Sequence, residues 1–586
     1  MIKSVIILKL FSIFKPDIIN SRSNTTTMDR RAFLQTQKKK ISSPDVSSFK
    51  VSRTNSGLIP YSGTFGTNEI IHLLKRTMFG AVKADVDYFK TKTLSQAVNE
   101  LLTVPVIPPL PPVKNYPNSV TAGDLDAAVT AGSTWVNTNT NDGGVDAQRR
   151  SSFKSWWQGL MINQNKSILE KMVLFWHNHF GTETTDIGRA IWCYQNNTVL
   201  RKNALGNFKV FVKDITLDTG MLRYLNGYLN TNTAPDENFG RELQELFTVG
   251  KGLDNGSPPY SESDVKAAAR VLTGWTVNNT TNTSYFNSPR HDITNKQFSS
   301  YYNNTIITGR SGATGANELD DMLNMIFSTN DVAQYICRRL YRWFVYYDID
   351  AATEANVITP LAQIFRNNNY EIKPVLNALL KSEHFFDVLN QGCQIKSPVD
   401  LNVSVCREFG VVFPPASDYL NAYYMWEYIR TQSSNMQQNI GDPPDVAGWK
   451  SYYQAPQFYE IWINSDTLPK RNQFTDVMAN TGYTRNGKTI KIDFIAFAKT
   501  LPNPGDPNQL INDSLTYLYR LPLSQTSKNQ LKTDLLLSGQ TQDYYWTDAW
   551  SAYIANPNDM TNATIVRTRL RDLYQYLMRL AEYQLA

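Results

Sequence analysis

The chain has 586 residues, 41% hydrophobic and 12% aromatic, more than one single core ordinarily encloses, so several domains or one core with large insertions are expected. Its formal charge of +6 is a local matter: residues 1–53 hold 11 Lys/Arg against 3 Asp/Glu, which leaves 47 basic and 49 acidic residues for the rest. That near-neutral body excludes an electrostatic footprint for nucleic acid, and four dispersed cysteines (Cys193, Cys337, Cys393, Cys406) without a C-x-x-C exclude a zinc ribbon or a dense disulfide scaffold.

The amino terminus reads as a leader. Its first apolar run, from Val5 to Phe14, is broken by Lys9 and too short to span a membrane. After a second candidate start at Met28, the residues Arg30, Arg31, Phe33 and Leu34 match the core of a twin-arginine leader, although Gln35 to Lys40 are polar where such a leader is apolar. A leader or disordered segment is expected over residues 1–60, with export to the periplasm or cell envelope. No later segment is long and apolar enough to be transmembrane.

From Asn68 the apolar spacing is helical, with a second helix near Leu94–Leu102 and a Pro-rich extended connector over 104–118. Longer helical patterns occupy 151–176, 207–225, 236–250 and 262–274. Residues 277–315 are rich in Asn, Thr, Ser and Tyr and predict a large surface insertion. Helices resume at 317–328, 330–346, 354–367 and 372–386, and another opens after Lys396-Ser397-Pro398, where proline suits a first turn. A Gly/Pro/Trp loop covers 441–456, and the tail is helical from about 490. The fold class expected is mainly α, a multi-helix array with long loops and little β. The main helical domain would span 61–475 and a C-terminal helical subdomain 476–586.

The chemistry-bearing residues concentrate in a few stretches. In Asn238-Phe-Gly-Arg-Glu-Leu-Gln-Glu-Leu-Phe-Thr-Val-Gly250, helical geometry places Asn238, Arg241, Glu242 and Glu245 within one arc, beside an apolar stripe of Phe239, Leu243 and Leu246. Such a row makes Glu242 and Glu245 candidate acid and base, with Arg241 and Asn238 beside them, or else a structural ion-pair network. Among only five histidines, His177 and His179 are two apart. On a helix they would point about 200° apart, so they can share a metal only if the helix ends at Trp176. With Glu242 or Glu245, and with His291 or Asp292 from the insertion, they form a candidate site for a zinc-like divalent metal. The competing expectation is that the histidines bond helix-end carbonyls. No H-E-x-x-H, no G-x-S-x-G elbow and no complete phosphate-binding loop is present.

Seven segments in order carry a resemblance: His72 to Gly80, Lys171 to Phe180, Asn238 to Gly250, Ala269 to Trp275, His291-Asp292, Lys396-Ser-Pro-Val-Asp400 and Pro443-Pro-Asp-Val-Ala-Gly-Trp449. Together the set resembles the bacterial domain-of-unknown-function family 1800. The resemblance implies a large, mostly helical, often exported protein, often encoded beside a partner that resembles the sulfatase/alkaline-phosphatase group. Two functional readings stand: a metal-dependent hydrolase acting on a polymer or ester, and a non-catalytic helical scaffold or binding protein working with that partner.

Overall fold

Short polar caps and apolar spacing set the helices. In the computed structural model, which describes residues 56–105, 107–116, 126–252 and 256–586, helix α1 (Thr67–Thr77) opens where Glu69 accepts the Gly66 amide at 3.1 Å. The expected leader over 1–60, with Arg30 and Arg31, lies outside the described residues up to 55. Helix α2 (Gly143–Ile162) is capped by Asp142, which accepts the Val145 amide at 2.9 Å. Helix α3 (Leu169–His179) follows, with all eleven residues buried.

The single helix expected over 151–176 is therefore two. The polar run from Asn163 breaks it, because Asn163 turns its side-chain amide back onto the Gly159 carbonyl at 2.9 Å. The pattern at 207–225 splits in the same way, at Asp218, whose carboxylate caps Thr219–Tyr224. Helix α4 (Glu237–Glu242) runs on as a wider π-helical turn, Leu243–Thr248. It packs on α5 (Glu262–Val271) at a distance only glycine permits: a Cβ on Gly240 would stand 2.9 Å from the Ala269 nitrogen.

The 277–315 stretch has regular structure of its own. It folds into two antiparallel ribbons, β1 (Trp275–Asn278) with β2 (Thr283–Phe286) and β3 (Lys296–Gln297) with β4 (Ile306–Ile307), and buries His291, Lys296, Phe298, Tyr302 and Ile307. The asparagines that suggested a loop serve its turns, with Asn282, Asn303 and Asn304 at positive φ. A third ribbon pairs β5 (Tyr483–Arg485) with β6 (Lys488–Ile490). Everything else regular among the described residues is helical, so the fold is mainly α with little β.

Helix α6 (Pro398–Glu408) begins where expected, with Pro398 in its first turn and Ser397 accepting the Asp400 amide at 3.1 Å. Helix α7 (Thr467–Ala479) and the last long helix, α8 (Met560–Arg579), are joined by Arg579 to Asp476 at 2.6 Å. Beyond α8 the chain returns to the segment before α6: the Lys396 amide donates to the Gln584 carbonyl and the Ala586 amide to the Gln394 carbonyl, both at 2.8 Å. Residues 55–586 form one compact unit. All four cysteines are buried and free. No helix among the described residues is long and apolar enough to cross a membrane.

Candidate functional site

Helix α3 carries two of the expected ligands and decides their fate. It continues through His179 rather than ending at Trp176, so His177 and His179 project to different sides. His177 sits edge-on to Trp157 and Trp449, and its Nε2 accepts the Gly441 amide at 3.2 Å, which places the proton on Nδ1. Burial pushes its pKa down to about 4, only partly offset by Asp442. His179 lies among Phe175, Trp176, Phe180 and Phe247 and bonds the Phe247 carbonyl at 3.1 Å, so it satisfies a carbonyl of the π-turn. Burial, reinforced by Arg339, holds it neutral well below the usual range.

The insertion pair is equally occupied elsewhere. His291 is buried, with Nδ1 2.8 Å from the Thr273 carbonyl and Nε2 3.1 Å from Glu318. Asp292 is bound by Arg270 at 2.7 Å; burial alone would raise its pKa, but hydrogen bonds from Arg270 and Thr294 outweigh it and hold the group below the usual carboxylate range. The structure thus does not bring His177, His179, His291 and Asp292 together, and no group of three His, Cys, Asp or Glu among the described residues is placed to hold a metal ion.

The polar row on α4 also divides. Arg241 turns outward to form a two-pronged pair with Glu262, at 2.6 and 2.7 Å, with Glu237 at 3.5 Å. Glu245, carried by the π-turn, pairs with Lys251 at 2.5 Å. Asn238 reaches the Leu225 carbonyl at 3.4 Å. Glu242 is left with neither cation as a direct partner, and its Oε2 is buried without a hydrogen bond. Burial first, and then the Glu245 carboxylate, raise its pKa to about 7 against the opposing Lys251 and Arg241 cations, with Asp445 adding the smallest contribution.

Three motif segments meet around this carboxyl. Asn178 at the end of α3 accepts the Trp449 amide at 2.9 Å. The loop 443–449 lies so close that a Cβ on Gly448, whose φ is +88°, would stand 2.2 Å from the Asn178 carbonyl oxygen. That contact carries Asp445 into the field of Glu242, where it accepts the Tyr453 hydroxyl at 2.8 Å. Tyr224 senses Glu183, Asp186, Asp445 and Glu242, which with burial raise its phenol pKa beyond the usual range. Tyr260 is raised by burial and by Glu245, and its buried hydroxyl has no hydrogen-bond partner. Sequence reasoning quoted Asp445 inside a motif without giving it a role. It missed Tyr224 and Tyr260, which carry no local signal because they arrive from separate elements.

The arrangement offers one carboxyl poised between its two protonation states near neutrality, with Glu245 and Asp445 beside it and the Tyr260 phenol as an unengaged donor. These are the parts of general acid–base chemistry. A family model described as "Protein of unknown function (DUF1800)" matches residues 72–585. No curated protein and no solved structure gives a significant match.

Proposed function

The chain belongs to the DUF1800 family, and we propose that within it this protein is a hydrolase whose acid–base residue is Glu242. The observation that carries this reading is the raised pKa of a carboxyl whose Oε2 is buried and unbonded while cations stand within reach of its neighbours. A structural glutamate in that position would be expected to pair with Arg241 or Lys251. In the reading, Glu242 transfers the proton, Glu245 and Asp445 hold its pKa up, and Tyr260 donates to the substrate oxygen on which charge develops. The histidines position the π-turn and the 443–449 loop.

The test is a pH–rate profile on chromogenic esters, phosphate esters and glycosides. Wild-type protein is expected to turn over one class, with an apparent pKa near 7. Glu242→Gln is expected to lower kcat by about 10²–10⁴-fold, the usual yield of a positioned acid or base. With His177 and His179 bonded to backbone groups on different sides of α3, this reading expects prior EDTA treatment to leave the rate unchanged. A Glu242→Gln variant as active as the wild type ends the proposal, as does failure of the wild type on every class.

A second reading, a non-catalytic scaffold or binding protein working with a sulfatase/phosphatase-like partner, is supported by the engagement of both α3 histidines with backbone groups. It expects no turnover, and co-purification of that partner from the native host. Export, proposed on the Arg30-Arg31-x-Phe33-Leu34 leader, is tested by cell fractionation.

A further inference from the structure

The opposite end of α3 borders a different environment. Lys171 lies eight residues before His179, about 12 Å along the axis, and faces a cavity with about 40 Å³ of space for water-sized atoms. Five cationic residues line it, Lys75, Arg76, Lys171, Arg342 and Lys396, together with the Asp400 carboxylate and the carboxyl-terminal residue Ala586. The carboxylates nearby are already engaged: Asp400 pairs with Lys171 and Glu408 with Lys75. Arg76 is 3% exposed and donates to two neutral groups, the Asn390 carbonyl at 2.9 Å and the Cys393 sulfur at 3.2 Å. Lys396 is 4% exposed; its ammonium sits 4.0 Å from the centre of the Tyr583 ring and makes no hydrogen bond. Arg471, behind Lys396, is fully buried and bonds only the Gln584 side chain and the Lys396 carbonyl.

Buried charge without a counter-charge is costly, and so is a buried donor without an acceptor. Both conditions coincide here. Four lining residues that are more than nine-tenths buried carry donors with no hydrogen-bond partner: Arg76 Nε, Lys396 Nζ, Trp343 Nε1 and Tyr459 Oη. All four are donors, and the two cations among them, Arg76 and Lys396, have no ion-pair partner among the described residues, since Asp400 and Glu408 are taken by Lys171 and Lys75. Water would satisfy the donors but leave the charge. We infer that this cavity is a binding site for a small oxyanion, a phosphate or sulfate group, held by Arg76 and Lys396 with Tyr459 and Trp343 completing its hydrogen bonds. Its size admits the anionic group itself, free or as the head of an ester whose remainder lies outside.

The present state of Lys396 agrees with that assignment. Burial, together with Lys75 and Arg471 and only partly offset by Glu408 and Asp400, pushes its pKa down to about 7, and a bound oxyanion would restore its charge. The site is independent of the acid–base reading, since neither Glu242 nor its neighbours line the cavity.

Isothermal titration of the intact protein with inorganic phosphate, at constant ionic strength set with chloride, tests the inference; methyl phosphate and acetate serve as parallel probes. Phosphate is expected to bind saturably, and methyl phosphate comparably if the anion is the head of an ester. Lys396→Met should bind at least about tenfold more weakly, the loss of one charge-assisted hydrogen bond, while Glu242→Gln should bind as the wild type does. Tyr459→Phe, which deletes a single hydroxyl, gives the same direction of change in a variant little disturbed in packing, should Lys396→Met fail to fold. Phosphorus-31 line broadening on the wild type is the second readout. Absence of saturable binding to phosphate or methyl phosphate overturns the inference, and so does equal binding by the wild type and both cavity variants.

Discussion

Arg241 and Glu242 adjoin in sequence, yet their surroundings give them opposite roles. The guanidinium finds two carboxylates at the surface, whereas the carboxyl beside it turns inward and loses solvent. For Glu242 the folded pKa, about 7, lies above its ordinary 4.5, so the folded state binds the extra proton between those values. The stability this contributes is complete below about pH 4.5 and lost as pH rises through 7. Glu242→Gln, neutral throughout, should therefore gain on the wild type between pH 5 and pH 8, by an amount of the order of 1 kcal/mol once solvent screening is allowed for. Denaturant melts at the two pH values read it, and an identical difference at both would contradict it. His177 has the opposite sign. Its folded pKa, about 4, lies below the ordinary 6.5, so its contribution is present above 6.5 and lost as pH falls toward 4. His177→Ala should cost about 2–4 kcal/mol at pH 8, through the lost contacts with Trp157 and Trp449 and an unpaired Gly441 amide. That cost should shrink at pH 5, which the same melts would show.

Among the elements, the π-turn at Leu243–Thr248 is the joint on which the site depends. Gln244 within it is fully buried, donating to the Gly240 carbonyl at 3.0 Å and accepting the Tyr302 hydroxyl at 2.8 Å. The Asn/Thr-rich segment thus reaches back to hold the turn that carries Glu245, and Ser299 fixes the same segment to Asp264 on α5 at 2.7 Å. Tyr302→Phe should cost about 1–2 kcal/mol, the penalty of leaving the Gln244 oxygen buried and unpaired; hydrogen exchange should report it as faster exchange at the Val249 and Gly250 amides, both of which bond Gln244. The α4–α5 contact allows a sharper test. Gly240→Ala places a methyl 2.9 Å from backbone that cannot move aside, and about 1–3 kcal/mol of destabilisation is expected from overpacking. A neutral or stabilising result in urea denaturation would mean the helices are not so closely docked.

For the whole molecule, the carboxyl-terminal residues close a loop through the centre. Gln584 binds Arg471, Tyr583 lies under Lys396, and Leu585 bridges Ile395. Deleting residues 580–586 should destabilise all of 55–586 by at least about 3 kcal/mol through lost burial, seen in calorimetry as a single transition moved downward rather than as loss of a separate C-terminal step. The helical class and most helices were legible in the amino-acid order, because a buried stripe must repeat at the period of the helix whatever it packs against. The site was half legible. Glu242 could be singled out, yet its partners could not, because Asp445, Tyr224 and Tyr260 lie far from it in sequence. Periodicity also placed Arg241 and Glu245 beside it, and the π-turn and the surface carboxylate of Glu262 drew them away. Lys396 was visible only as the residue two before a helix-starting proline. By itself, the sequence determined the helical periods, the caps at Asp142 and Ser397, and the polar segments that mark the family. Only the tertiary structure decided which charges lose water and which find counter-charges, since desolvation and ion pairing depend on distances across the fold that no local pattern encodes.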